Sequence, residues 1–365
     1  MNSIQKKIVQ YLSGRIFSGA LAPGEMIEKE STLAEKFSTS KMNAKAAVNF
    51  LAKRGLVRRK RHAGSFVSKV ADSAFARDVL AGGEKIVFLL CSRNCTRIHW
   101  DENTREKFCK TARKYAFTPF VLFLPSEKKA LEKLLDFLAD FQPEALTVLD
   151  DNFDHLLLFE VRHSFEKFSC PIVFLNRFGA GAPLHIPKSK SLDIDHFQNG
   201  YLAGKVALTL PEITAFTVNN VVLGYSLERE SIHCRDKYDG IHTAFQEAAK
   251  EIPRDFSWEH ASLTKLAEAV KMEKNPVILA LNQEIGAKVY KFFAARNLFP
   301  PSSYRLITIE EQKQYENFAF STIAVSKEKT GGILAELACG KIGGIFPGES
   351  FSLRIQGEIL LRKTF

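Results

Sequence analysis

The chain has no run of about 18 uncharged apolar residues, the length a membrane helix needs, so no membrane span is expected. Lys6, Lys7 and Arg15 interrupt residues 1–19, which argues against a signal peptide and for a cytoplasmic protein. Cysteine is sparse: six among 365 residues, with no CxxC pair and no His or Cys at zinc-site spacing beside Cys91 and Cys95. Reduced thiols acting as small core residues, and no bound metal, are the reading that follows. No GxGxxG follows a strand, and GxxxxGK[ST], HExxH and GxSxG are missing. Dinucleotide, phosphate-loop, zinc-protease and serine-hydrolase chemistries thus lose their signatures, and neither a cofactor nor catalysis is expected. The nine histidines are dispersed, and His155, His163, His233 and His242 read as surface or core residues.

What is present is an unevenly placed positive charge. The net charge is +10. Residues 1–70 hold fourteen Lys and Arg against four acids (Glu25, Glu28, Glu30, Glu35), which accounts for all of it, and residues 71–365 hold 37 of each sign. A basic terminal module beside a neutral remainder points to a polyanionic partner for that module alone. The composition otherwise, 45% hydrophobic and 25% charged, is that of a folded globular chain, and the 30 Phe read as core packing.

Within the basic module, Ile4, Ile8, Tyr11, Leu12 and Ile16 recur at helical spacing and predict a first helix. Gly19 and the run Leu21-Ala22-Pro23-Gly24 stop it. A short second helix follows through Leu33, Ala34 and Phe37. After Ser38-Thr39, Ser40 is placed to cap a third helix whose apolar positions are Ala44, Ala47, Val48 and Leu51. Gly55 closes that helix, and two short strands over 56–59 and 65–67 flank a basic hairpin. This order describes a winged helix-turn-helix, with the third helix in the major groove of duplex DNA. Lys41, Asn43 and Lys45 stand at its start as donors to phosphates and bases, and Ser40 offers a phosphate site at the helix N-terminus. Arg58, Arg59, Lys60, Arg61 and His62 suit the minor groove or flanking phosphates, and Lys29 and Gly64 complete the candidate DNA-binding set.

The run from Leu21 to Gly24 through Glu30, Leu33, Ser40, Ala47, Leu51, Gly55-Leu56-Val57 and Gly64-Ser65-Phe66-Val67 resembles the GntR-type winged-helix domain over about 65 residues. The resemblance implies that Ser40, Lys41, Asn43 and Lys45 touch an operator and that the wing tip enters the minor groove. Lys41 and Lys45 occupy positions where that family usually has Arg, which replaces bidentate forks by point charges. His62-Ala63 likewise stands where Gly-Arg is common.

Residues 71–84 read as a linker, and residues 85–365 as a two-lobed effector-binding and dimerisation domain. Strand-length apolar runs occupy 86–90, 120–123, 146–149, 172–175, 191–194, 220–223, 277–280 and 305–309. Helix-period segments at 102–115, 130–141, 198–210, 238–250 and 285–296 lie between them. Such alternation predicts an α/β architecture of parallel sheets flanked by helices, in two lobes with a ligand cleft between. The segment 355–362 is expected to be a single last strand.

Five strings in order are similar to LacI/GalR regulators and their periplasmic sugar-binding relatives. They are Cys170 to Arg177, Asp193 to Ala203, Leu281 to Ala287, Ile307 to Glu311, and Ser321-Thr322-Ile323. A GntR-type head on a LacI/GalR-type body resembles arabinose-type repressors of that mixed build. The resemblance implies effector contacts from the loops after each strand: Asn94, Arg177, Lys237, Asn282 and Glu310, with Trp258 as a stacking face for a sugar. Lys237 stands where Arg is usual, and Arg235 is the alternative for that role. Asn176, Gln283 and Glu310 stand where Asp is common.

The function implied is a ligand-responsive regulator, a repressor of carbohydrate-use genes that binds a palindromic operator as a homodimer. The competing class is an α/β enzyme acting on a sugar or nucleotide with an accessory DNA-binding head. A fused pyridoxal-phosphate domain would need a larger C-terminal part and an anchoring lysine motif that the sequence lacks, and an all-helical effector domain is excluded by the strand-rich pattern.

Overall fold

The computed structural model describes residues 1–17, 21–53, 55–60, 63–68, 85–91, 100–149, 155–176, 186, 189–219, 230–311, 313–342 and 351–365. The expected linker, 71–84, lies outside them. Three helices build the head: α1 (Ser3–Phe17), α2 (Glu30–Lys36) and α3 (Lys41–Lys53). Ile8, Leu12 and Ile16 of α1 pack with Leu33 of α2 and with Ala44, Ala47, Val48 and Leu51 of α3, the four apolar positions expected of that helix. Gly55 ends α3 with φ +74°, a conformation that favours glycine. The Leu56 amide then donates back to the Leu51 carbonyl at 3.0 Å. That bond keeps Leu56 out of the wing, so the antiparallel strands are β1 (Val57–Lys60) and β2 (Gly64–Val67), each one residue from expectation.

A polar knot closes the head. Tyr11 Oη donates to Glu28 Oε1 at 2.7 Å, Lys36 Nζ lies 3.0 Å from the same oxygen, and Arg15 Nη1 lies 3.2 Å from Oε2. Burial pushes the Glu28 carboxyl up, but the Tyr11 and Lys36 hydrogen bonds and the Lys36 and Arg15 charges together hold it below its ordinary value. A depressed folded pKa contributes stability that is present above the unfolded value, about 4.3, and is lost as pH falls through the folded one. Protection of the α1 and α2 amides, measured relative to the unstructured chain at the same pH, should therefore fall on acidification below about pH 4.3. Glu28→Gln should already exchange faster at neutral pH and show a smaller further change. Identical pH responses in the two proteins would remove Glu28 from this role.

The remainder is two parallel sheets flanked by helices. The first contains β3 (Lys85–Cys91), β4 (Phe117–Phe123), β5 (Ala145–Leu149), β6 (Ile172–Asn176), β7 (Ser189–Ile194) and β13 (Phe351–Ile355), in the order β13-β7-β6-β5-β3-β4, all parallel. α4 (Trp100–Lys114) and α11 (Lys327–Ala338) pack on one face, and α5 (Lys128–Phe141) and α6 (His155–Glu160) on the other. The second contains β8 (Thr214–Asn219), β9 (Arg254–Ser257), β10 (Pro276–Ala280), β11 (Arg305–Ile309), β12 (Ser321–Ala324) and β14 (Glu358–Leu360), in the order β14-β12-β11-β10-β8-β9, with only β14 antiparallel. Its helices are α7 (His196–Ala207), α8 (Glu230–Glu247), α9 (His260–Met272) and α10 (Gln283–Ala294). Runs such as Val277-Ile278-Leu279-Ala280 are apolar at every position because a parallel strand covered by helices is buried on both faces.

The strand expected at 220–223 lies outside the described residues, and β8 at Thr214–Asn219 forms where no strand was expected. Two expectations are corrected. The single strand expected at 355–362 is two short strands in different sheets, divided at Gln356-Gly357. The helix expected at 238–250 begins eight residues earlier, as α8. Among the described residues, no helix is long and apolar enough to cross a membrane. Of the five cysteines among the described residues four are buried, and burial raises the Cys109 and Cys339 thiols to about 11 and Cys170 to about 12. Such thiols stay protonated and unreactive at neutral pH.

Candidate nucleic-acid interface and effector site

At the start of α3, Ser40 Oγ accepts from the Asn43 amide at 3.3 Å, the expected cap. Lys41 and Lys45 follow one turn apart, exposed on one face, with no ion-pair partner among the described residues. Met42, 77% exposed, stands between them. Asn43 is engaged inward instead: Oδ1 accepts from Asn2 Nδ2 (3.1 Å) and Gln5 Nε2 (3.0 Å), and Nδ2 donates to Thr39 Oγ1 (2.8 Å). It braces α3 against α1. In the wing, Arg58 is exposed, Lys60 lies over the Phe66 ring at 5.1 Å, and Arg59 binds Asn49 and Glu30, which ties the wing to α3 and α2. Gly64 has φ +114°, so the turn itself requires glycine there. Lys29 is exposed just before α2, and Arg61 and His62 lie outside the described residues.

The second candidate site is a rim at the carboxyl ends of the strands of the second sheet, where open α/β folds place ligands. Lys237 of α8 is 2% exposed. Its Nζ donates to the Leu281 carbonyl (3.2 Å), just past β10, and to Glu310 Oε1, just past β11. Glu310 has φ +70°; its amide donates to the Ile323 carbonyl (2.7 Å) and its carbonyl accepts from Thr322 Oγ1 (3.0 Å). These bonds hold a left-handed residue that carries a half-exposed carboxylate. Asn282 Oδ1 caps α10 by accepting from the Ile285 amide (2.8 Å), which leaves its NH2 group with no partner among the described residues.

Trp258 lies just past β9. Its amide donates to the Asn219 carbonyl (3.1 Å), and Lys288 Nζ covers one ring face at 3.0 Å from the centroid. From β11 to β9 is three strand spacings, so Trp258 and Glu310 stand at opposite ends of a rim roughly 14 Å long. Of the seven residues expected in this site, the structure brings together Lys237, Asn282 and Glu310. Arg235 faces away: its side chain is 81% exposed and 3.9 Å from Asp239. Two residues apart on a helix is about 200°, so burying Lys237 turns Arg235 outward. Asn94 and Arg177 follow β3 and β6 of the first sheet and lie outside the described residues.

Two buried polar residues were missed in the sequence. His196, 3% exposed, places Nδ1 3.8 Å from Glu310 Oε1. Asn199, fully buried, accepts from the Gly357 amide at 2.6 Å through Oδ1. Both sit in the string Asp193 to Ala203, whose departure from a plain amphipathic pattern, with polar residues spaced one helical turn apart, was the available signal. They belong to the first of three crossings between the sheets, at Asp195, Val325-Ser326 and Gln356-Gly357. The crossings touch: the Asp195 amide donates to the Ile355 carbonyl (2.9 Å), and Ala324 pairs with Glu358. Close by, burial first, and then the Asp239 and Asp195 charges, push the Asp236 carboxyl up.

Residues 4–67 match the family described as bacterial regulatory proteins, gntR family. No curated relative matches the sequence. In fold the chain is similar to a probable transcription regulator from Thermus thermophilus, at 15% identity and TM-score 0.53, over 77% of this chain and 97% of that one. It is similar too to a LacI-type transcription regulator from Bifidobacterium animalis subsp. lactis, at 11% identity and TM-score 0.53, over 76% and 99%. A third likeness is to the lac repressor dimer bound to operator and the anti-inducer ONPF, at 13% identity and TM-score 0.53, over 81% and 99%. Identities this low speak for the fold alone. The chain thus joins a gntR-family DNA-binding head to a two-lobed body with the fold of LacI-type transcription regulators.

Proposed function

We propose that the protein is a cytoplasmic, homodimeric transcription regulator whose hold on a palindromic operator is set by a small polyhydroxylated effector, a sugar or sugar derivative, with repression of carbohydrate-use genes as its role. The observation that carries this reading is the meeting of Lys237, Glu310 and Asn282 on one rim. An ammonium, a carboxylate and an amide pair well with adjacent hydroxyls, each of which both donates and accepts. Asn94 and Arg177, which follow β3 and β6 in the sequence, are the further candidates of this reading, and the half-buried Trp258 stands at the far end. A dimer suits the head, since one winged helix buries little surface and paired half-sites multiply affinity. An effector that prefers one lobe arrangement shifts operator affinity by its differential binding to the two states.

DNA selected from a random library by the full chain supplies the operator, and gel shifts with a sugar panel then test the sensor. A tenfold or larger change with at least one sugar is the expected result, and constant affinity across a broad panel would overturn the sugar reading. On the same operator, Lys41→Ala should weaken binding by about 1–3 kcal/mol if Lys41 reads a base. If it holds a phosphate instead, the loss is uniform across sequences and the salt slope falls by about one. Wild-type affinity in this variant would mean that the start of α3 does not face DNA.

A further inference from the structure

Helix α1 is buried on two sides. Ile8, Leu12 and Ile16 fill the head's own core, yet Ser13 and Gly14, outside that core, are buried as well, Ser13 completely. A Cβ on Gly14 would lie 3.1 Å from the Val121 carbonyl oxygen and 3.4 Å from Leu122 Cδ2. Beside it, Arg113 at the end of α4 donates from Nη2 to Gln10 Oε1 at 3.5 Å. Gln10, Ser13 and Gly14 are spaced i, i+3, i+4 and so share one face. That face rests on β4, the outermost strand of the first sheet. An edge strand carries a row of main-chain groups that folded proteins cover, and here the cover is a helix of the DNA-binding head. A glycine in mid-helix is unfavourable, and the close approach to Val121 is a physical reason for it.

We infer that the α1–β4 contact is a joint that makes the head a rigid extension of the first sheet, so that the sheet sets the direction of the recognition helix. The line of contact is continuous. β4 seats α1, and α1 holds α3 through the shared core and through the Asn2 and Gln5 bonds to Asn43. The consequence for DNA rests on the operator-binding reading above: two heads held rigidly on a dimer accept one half-site spacing, whereas heads freed from the sheet accept several.

The test uses the full chain and Gly14→Gln. Glutamine favours helix more than glycine does, so the head keeps its fold while the longer side chain blocks the approach to Val121. Two measurements are made: amide exchange in the 117–123 segment, and the half-site spacings enriched from a random DNA library. Exchange at least fivefold faster in the variant, with the same half-site enriched at several spacings instead of one, is the expected result. Unchanged exchange overturns the joint. Faster exchange with a single unchanged spacing overturns its control of head orientation. If the wild-type chain enriches no DNA, the operator reading fails, while the exchange measurement still decides whether the joint exists.

Discussion

Gly200→Ala or Gly240→Ala should each cost the second lobe about 3 kcal/mol or more, seen as a large drop in the urea midpoint followed by Trp258 fluorescence in a Trp100→Phe background. The two glycines lie where α7 crosses α8. A Cβ on Gly200 would sit 1.9 Å from the Lys237 carbonyl oxygen and 2.7 Å from Lys237 Cα. A Cβ on Gly240 would sit 2.0 Å from the Phe197 carbonyl oxygen and 2.7 Å from the Tyr201 amide nitrogen. All four neighbours are main chain, so no side chain can swing aside, and the helices must separate. Separation pulls Ala203 and Ile241 out of the core of the second lobe. Because both substitutions open the same gap, the double variant should lose less than the sum of the two. A wild-type midpoint for either would mean that the helices do not cross this closely. Since α8 also carries Lys237, effector binding should fail in both variants even in conditions where the lobe stays folded.

Lys237→Met should destabilise the lobe by roughly 2–3 kcal/mol and abolish the effector response. The methionine fills the space but leaves the Glu310 carboxylate and the Leu281 carbonyl without their shared donor. Removing one member of a fully buried pair costs more; Glu310 keeps part of its side chain in solvent, which tempers the loss. Adding Glu310→Leu should restore most of the stability, because the uncompensated charge is gone, without restoring the response. Calorimetry against the sugar that shifts the operator complex, paired with urea unfolding, separates the two effects. A single variant with wild-type stability and response would show that the pair neither holds the lobe nor touches ligand.

The head was legible in the sequence almost residue by residue because its signals are local. Ser40 caps, Gly55 stops, and Ala44, Ala47, Val48 and Leu51 repeat at the period of a single helix. Most strands were legible too, since a parallel strand buried on both faces shows as an unbroken apolar run. Where that signal thins, the reading failed: β13 and β14 are five and three residues long, and nothing local reveals that Gln356-Gly357 passes from one sheet to the other. Of the candidate site, residue type and resemblance selected Lys237, Asn282 and Glu310, and the fold brought them together. The choice between Lys237 and Arg235 needed the helix seated on its sheet, because two residues on a helix point nearly opposite ways.

The sequence by itself determined that the positive charge is confined to residues 1–70, that a winged head precedes an α/β body, and which residue types stand after the strands. Such properties depend on composition and on periods of a few residues. Only the tertiary structure decided which donors remain free for a partner. Arg59 and Asn43, read as DNA contacts, are engaged by Glu30, Asn49, Asn2, Gln5 and Thr39. It alone also gave Gly14, Gly200 and Gly240 their neighbours, up to about a hundred residues away in sequence. The reason is physical: hydrogen-bond satisfaction and backbone clearance are properties of pairs, and the partner in each pair is chosen by packing.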